Sequence, residues 1–170
     1  VKILDMVGLN TSFGYLQNKF HFSTLSDKDK NYSSLSLGGL TNGVTVKEMA
    51  SAYSAFANEG KSIAPYTYTQ VLDSAGNVIL QTGENSSTAI SPAAAYITAD
   101  LLKGVVNSRV GTGRGAALDD IQAYGKTGTT DDDFDKWFVG FTPYYVGDVW
   151  YGFANQSSLS AAGVSGNPDV

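Results

Sequence analysis

A lysine, two threonines and a glycine stand together at Lys126-Thr127-Gly128-Thr129. On an extended strand, alternation places Lys126 and Gly128 on one face and the two threonines on the other. Gly128 has no side chain, so a ligand can approach the backbone closely there. A positive charge beside hydroxyl donors suits a carboxylate ligand, or a proton relay to a nearby nucleophile. Lys-Thr-Gly is common by chance, however, so the tripeptide alone is a weak signal.

The other candidate sites are weaker still. The glycine-rich segment 111–115 lacks the preceding strand and following helix of a phosphate-binding loop, and we interpret it as a flexible joint. The acidic run 131–135 lacks the spacing of an EF-hand and predicts a solvated turn, in which Asp135 is the residue most suited to an inward hydrogen bond. With one histidine, His21, and no cysteine, the sequence predicts no metal site and implies no cofactor.

The composition is that of an ordinary globular domain. The chain has 170 residues, of which 42% are apolar and 16% are charged. Its formal charge of −5 and scattered basic residues argue against a nucleic-acid partner. No apolar run approaches the roughly 20 residues of a membrane-spanning helix. The absence of cysteine fits either side of a membrane.

The periodicity changes along the chain from helical to extended. We predict a mainly helical part over about residues 1–118, interrupted by a hairpin near 66–81, and then strands over about 121–153. Helix starts are indicated by the capping box Thr45–Glu48 and by Ser91-Pro92, whereas 23–36 is predicted to be a polar loop. Helices followed by an antiparallel meander indicate an α+β fold. The tail, 154–170, is small and polar and need not be ordered.

The residues around Lys-Thr-Gly carry a more specific signal. The chain resembles the transpeptidase domain of penicillin-binding proteins, most closely the bifunctional class A type, over about residues 1–153. The main similarity lies in three segments: Lys126 to Pro143, which includes Trp-Phe-Val-Gly-Phe-Thr-Pro, the leucine-glycine-glycine segment 35–45, and the helix-like segment 50–61. The short segments 91–92, 104–106 and 111–113 also follow the family's order.

Two motifs of that family are not found in their expected places. No serine stands three residues before a lysine, and the one Ser-x-Asn, at Ser165, follows Lys-Thr-Gly instead of preceding it. We therefore expect the chain to be the C-terminal part of such a domain, with three strands of the family's five-stranded sheet. The unpaired sheet edge should then favour self-association or a companion chain.

The resemblance also implies a reaction. In such D,D-transpeptidases a serine attacks a D-alanine carbonyl of a peptidoglycan stem peptide, and β-lactams acylate the same serine. By resemblance Lys126, Thr127 and Gly128 are catalytic, with Lys126 attracting the substrate carboxylate and tuning the field at the serine. Thr129, Thr130, Asp135 and Trp137 are substrate-binding, and the Thr129 amide forms half of the oxyanion hole. The family also implies a membrane-anchored enzyme on the extracytoplasmic face of the bacterial cytoplasmic membrane.

Two alternatives remain open from the sequence. One is a fragment of a class B transpeptidase or of a serine β-lactamase, although the segment after Thr130 favours class A and the deacylating glutamate of a β-lactamase is not found. The other is a non-catalytic module that binds peptides or glycans, which the absent nucleophile motif allows. If the chain alone lacks the serine, it should be inactive by itself.

Overall fold

The fold is described by a computed structural model over residues 1–166. It contains five α-helices and seven β-strands within that range, together with short 3-10 turns at 27–29 and 114–116. In chain order they are α1 (Lys2–Val7), α2 (Leu9–Asn18), α3 (Tyr32–Leu37), α4 (Val46–Ala57), β1 (Lys61–Ile63), β2 (Gln70–Leu72), β3 (Val78–Gln81), β4 (Ser86–Thr88), α5 (Pro92–Asn107), β5 (Tyr124–Thr129), β6 (Asp135–Phe141) and β7 (Val146–Gly152).

The two long helices begin where their capping residues predict. At the start of α4 the Glu48 amide donates to the Thr45 hydroxyl at 3.2 Å, and the Glu48 carboxylate accepts from the Thr45 amide at 3.3 Å. At the start of α5 the Ser91 hydroxyl accepts from the Ala94 amide at 3.2 Å, with proline in the first turn. Both predictions are confirmed, since each cap satisfies amides that the first helical turn leaves unpaired.

The predicted hairpin is also confirmed, as β2 paired antiparallel with β3. Its turn is organised by Asp73, whose carboxylate accepts from the amides of Ala75 and Asn77 at 2.9 and 2.8 Å. Such Asx contacts replace the backbone bonds that a tight turn cannot make.

The prediction of a polar loop over 23–36 is wrong in part. The 3-10 turn at 27–29 is closed by a capping box between Ser26 and Asp29, and α3 begins where Asn31 accepts from the Ser34 amide at 2.8 Å. Short polar side chains therefore start helical turns in a segment that has no apolar periodicity. A second difference is the short antiparallel pair β1–β4, which the sequence analysis did not predict.

The predicted meander forms a three-stranded antiparallel sheet in the order β5-β6-β7. The fold is therefore α+β, as expected. Helices α4 and α5 pack against each other and against this sheet, with α5 next to β5 and α4 next to β6 and β7. At that interface Phe141 stacks on Tyr124 at 4.9 Å between ring centroids and lies beside Phe56 of α4.

The part of the tail that the structure describes does not lie free of the sheet. Leu159 is only 1% exposed, and its amide donates to the Asp133 carbonyl in the β5–β6 turn at 2.8 Å. The expected boundary at 153 therefore excludes a side chain that is part of the interior. Residues 167–170 lie outside the described residues, and with them Asn167, the last residue of the Ser165-Gly166-Asn167 sequence.

Many large apolar side chains remain exposed. The β2–β3 hairpin carries several of them, among them Ile79 at 60% exposed, and β7 carries Val149 at 48%. Within residues 1–166 no strand pairs with the outer side of β7. Association through this edge stays a prediction.

Over residues 1–166, no helix combines the length and apolarity needed to cross a bilayer.

Asp29 is a buried charge that should make folding sensitive to acid. Its carboxylate is fully buried and accepts from the Thr41 amide and hydroxyl at 2.7 and 2.6 Å and from the Ser26 amide at 2.9 Å. Burial alone would raise the pKa of Asp29, but the hydrogen bonds from Thr41 and Ser26 outweigh it and hold the pKa below its usual value.

A lowered folded-state pKa means that this stabilisation is complete above the unfolded pKa of about 3.9 and is lost as the pH falls through the folded value. Asp29→Asn should therefore lower the free energy of unfolding by about 1–3 kcal/mol at neutral pH. It should also flatten the decline of stability with acid below about pH 4. Urea unfolding at several pH values measures both effects, with Asp119→Asn, at an exposed position, as the control. If stability declines equally below about pH 4 in Asp29→Asn and in the wild type, the assigned role of Asp29 in acid sensitivity is contradicted.

Candidate active site

The Lys-Thr-Gly segment lies on β5, at the edge of the sheet. In the register with β6, Lys126 lies opposite Val139, Thr127 opposite Phe138, and Gly128 opposite Trp137. No other strand among residues 1–166 pairs with the outer side of β5, so its backbone is open to a ligand along that side.

The hydrogen-bonding direction of each β5 residue can be read from two bonds. The Thr130 amide donates to the Asp135 carbonyl of the next strand at 3.2 Å, and the Lys126 ammonium donates to the Thr127 carbonyl at 2.7 Å. Because bonding direction alternates along an antiparallel strand, Gly128 bonds toward β6 whereas the amides of Thr127 and Thr129 point to the open edge. The edge therefore presents a free amide at Thr129 next to exposed side chains.

The side chains of the segment divide between the two faces. Lys126 is exposed and shares a face with Tyr124, whereas Thr127 is half-buried on the opposite face. The Thr127 hydroxyl is 2.7 Å from the hydroxyl of Thr112. Thr127 is thus held by a hydrogen bond from outside the sheet, and the lysine remains accessible.

Thr112 is a site residue that the sequence analysis missed. The segment that carries it is not the flexible joint expected, because the Gly111 and Gly113 amides donate to the carbonyls of Ser108 and Val105 at 2.9 and 3.1 Å. A Cβ on Gly111 would lie 2.2 Å from the Val105 carbonyl oxygen, so only glycine fits against the end of α5. The Gly-Thr-Gly pattern is visible in the sequence. Thr127, the hydrogen-bonding partner of Thr112, lies 15 residues away, so the contact itself is not.

Thr130 and Asp135 close the turn that follows β5. The Thr130 hydroxyl accepts from the amides of Phe134 and Asp135, both at 2.9 Å. The Asp135 carboxylate accepts from the indole N–H of Trp150 on β7 at 3.3 Å. Because Trp150 is 38% exposed, this bond lies at the surface and differs from the inward hydrogen bond that the sequence led us to expect. Both polar side chains are thus hydrogen-bonded to the protein itself, Thr130 within the turn and Asp135 to β7.

Trp137 lies on β6 and packs beside the Lys-Thr-Gly strand, β5. It is half-buried and lies opposite Gly128, where a Cβ on the glycine would come within 3.3 Å of the Trp137 Cβ. The small residue at 128 therefore keeps the two strands close. Among the described residues, no group of three or more acidic or histidine side chains is placed to hold a metal ion.

The family description "Penicillin binding protein transpeptidase domain" matches residues 5–163 of this sequence. This chain belongs to the penicillin-binding protein transpeptidase family. Its relatives include penicillin-binding protein 1A of Clostridium botulinum, which is 42% identical over 94% of this chain and 19% of its own length. The chain thus spans about a fifth of the length of such curated relatives.

Solved structures agree with this membership. The D,D-transpeptidase domain of a peptidoglycan glycosyltransferase from Eggerthella lenta has a TM-score of 0.56 at 34% identity, covering 65% of this chain and 27% of that one. Penicillin-binding protein 1A from Haemophilus influenzae has a TM-score of 0.72 over 93% of this chain and 28% of its own. At 20% identity the second likeness concerns the fold alone.

Proposed function

We propose that this chain forms the carboxylate-binding side of the active site of a serine-type D,D-transpeptidase, which cross-links peptidoglycan stem peptides and is acylated by β-lactams. The observation that carries the proposal is the open edge of β5, where an exposed lysine, an anchored threonine hydroxyl and an outward amide lie within four consecutive residues. The name of the relatives, penicillin-binding protein 1A, supports a class A enzyme.

Each group on this edge has a distinct task in the proposed reaction. Lys126 attracts the terminal carboxylate of the stem peptide, and the hydroxyls of Thr127 and Thr129 donate to it. The outward Thr129 amide donates to the oxygen of the carbonyl under attack, where negative charge develops. The Thr112 hydroxyl fixes the rotamer of Thr127, and Gly128 leaves room for the substrate backbone.

The acyl-transfer step needs a nucleophile from elsewhere. A serine adds to the penultimate D-alanine carbonyl, the terminal D-alanine leaves with a proton on its amine, and the acyl group passes to an amine of a second strand. Since the sequence has no Ser-x-x-Lys, we assign that serine to another part of the intact enzyme. We place the enzyme at the extracytoplasmic face of the bacterial cytoplasmic membrane.

The remaining predicted site residues mainly hold the strand β5 in place. The Thr130 hydroxyl is hydrogen-bonded within the β5–β6 turn and the Asp135 carboxylate accepts from Trp150 of β7, so we assign both residues to holding the end of β5 in place. Trp137 lies opposite Gly128 on β6 and packs against β5 there. Substrate contact by these three is secondary in this proposal.

Labelling with fluorescent penicillin tests the proposal. The intact transpeptidase that contains this chain should be labelled covalently. Lys126→Ala should slow labelling about tenfold or more, because it removes the charged donor to the ligand carboxylate, and hydrogen bonds to charged groups contribute about 1.5–3 kcal/mol. The matched control is Lys103→Ala on α5, which removes an exposed lysine and should leave the rate unchanged. An intact enzyme that is not labelled, or equal rates for the two lysine variants, would contradict the proposed role.

A further inference from the structure

The turn between β5 and β6 is where the strand that carries Thr129 ends. Its local bonds are made by Thr130, whose hydroxyl accepts two amides and whose carbonyl accepts from the Asp133 amide at 2.9 Å. Asp133 has a φ of 55°, a left-handed conformation that aspartate adopts more readily than most residues with a side chain. Contacts from outside the turn add to these local bonds.

Those contacts come from residues 158–166, which we call the strap. The Leu159 amide donates to the Asp133 carbonyl at 2.8 Å, at the residue with the left-handed backbone. Leu159 itself is 1% exposed and is among the largest fully buried side chains of the described chain. A buried leucine thus anchors the strap at the point where its backbone meets the turn.

The strap is held at its other end by Lys136, the second residue of β6. The Lys136 ammonium lies 3.3 Å from the Asp133 carboxylate and donates to the Gly166 carbonyl at 3.3 Å. The strap is closed on itself by the Val164 amide, which donates to the Leu159 carbonyl at 2.9 Å. Lys136 also lies opposite Thr129 in the strand register, so the strap, the turn and the site strand meet at one end of the sheet.

We propose that the strap fixes the β5–β6 turn and thereby orients the outward Thr129 amide, with Leu159 as the positioning residue. This inference rests on the proposed function, because it assigns the orientation of a group in that site. The turn begins one residue after Thr129, so a shift of its backbone changes the direction of the Thr129 amide before it changes the position of Lys126.

Kinetics of β-lactam acylation test the effect on the site. In the intact transpeptidase, Leu159→Ala should lower the first-order acylation rate constant about tenfold, as small misplacements of reacting groups do, while the constant for non-covalent binding changes less than about twofold. Leu159→Met should restore the rate constant because it refills the site. Leu118→Ala, which truncates a leucine that is 54% exposed, is the control. A lower melting temperature with an unchanged rate constant per titrated active site would overturn the inference, and so would an effect on binding alone.

Amide hydrogen exchange in the intact transpeptidase tests the structural step without any measurement of activity. Leu159→Ala should speed exchange of the Phe134 and Asp135 amides about tenfold relative to that of Asn77 in the β2–β3 turn. Lys136→Gln, which leaves the core intact, should speed the same two amides in the same direction. Equal changes in exchange rate at all three amides, or no change at Phe134 and Asp135, would contradict the proposal that the strap fixes the β5–β6 turn. If these amides respond but the wild-type enzyme is not acylated, the proposed function fails and the structural role of the strap stands.

Discussion

Replacing Thr129 with proline should slow β-lactam acylation of the intact transpeptidase by about 10²–10³-fold, the usual effect of removing one oxyanion donor. Proline has no amide hydrogen, so the substitution deletes the donor that the register directs to the open edge of β5. The sheet should tolerate it, because prolines are accepted on edge strands where the missing donor faces outward.

Two further variants isolate the amide. Thr129→Ala removes the hydroxyl but keeps the amide, so the difference between alanine and proline at this position measures the backbone donor. Gly128→Pro removes an amide that bonds toward β6 and should instead destabilise the sheet. Acylation rates and circular dichroism distinguish the cases. Acylation rates for Thr129→Pro and Thr129→Ala that agree within about threefold would contradict the role of the Thr129 amide as an oxyanion donor.

Replacing Gly60 with alanine should destabilise the fold by about 3 kcal/mol or more, since it combines overpacking with an unfavourable backbone conformation. Gly60 is buried at a φ of +87°, and an added Cβ would lie 2.1 Å from the Ile90 carbonyl oxygen. The Gly60 carbonyl also accepts from the amides of Ala89 and Ile90 at 2.9 and 3.2 Å. The backbone therefore cannot move away from the clash without breaking the contact between the end of α4 and the start of α5.

Gly76 in the β2–β3 turn is the matched control. Its φ is +85°, but an added Cβ would meet no atom within 4 Å. Gly76→Ala should therefore cost only the conformational term, about 1–2 kcal/mol. Urea unfolding of both variants measures the difference. If Gly60→Ala and Gly76→Ala lower the free energy of unfolding equally, the close approach at Gly60 does not contribute to stability.

Local chemistry explains which elements the sequence could predict. The start of α4 depends on a hydroxyl and a carboxylate three residues apart, and the hairpin turn depends on Asp73, so each is specified within a few residues. The Lys-Thr-Gly segment is likewise a contiguous pattern, and its place on an edge strand follows from the alternation and short joints around it. Such features can be recognised without knowing the rest of the fold.

The features that the sequence did not predict depend on contacts between distant segments. Strands β1 and β4 are short and mostly polar, and each becomes a strand only because the other lies beside it. Leu159 is a single apolar residue in a small, polar segment, so no periodicity indicates its burial. The Thr112–Thr127 contact likewise requires the close approach of the Gly111 backbone to α5.

The position of the acyl group after reaction with penicillin tests the central claim most directly. Intact-mass spectrometry and peptide mapping should find one penicilloyl group on the intact transpeptidase, on a serine outside the 170 residues of this chain. The chain alone should gain no mass. A stable, stoichiometric adduct on the isolated chain, or an acylated residue within it in the intact enzyme, would contradict the view that this chain binds the substrate carboxylate and supplies no nucleophile.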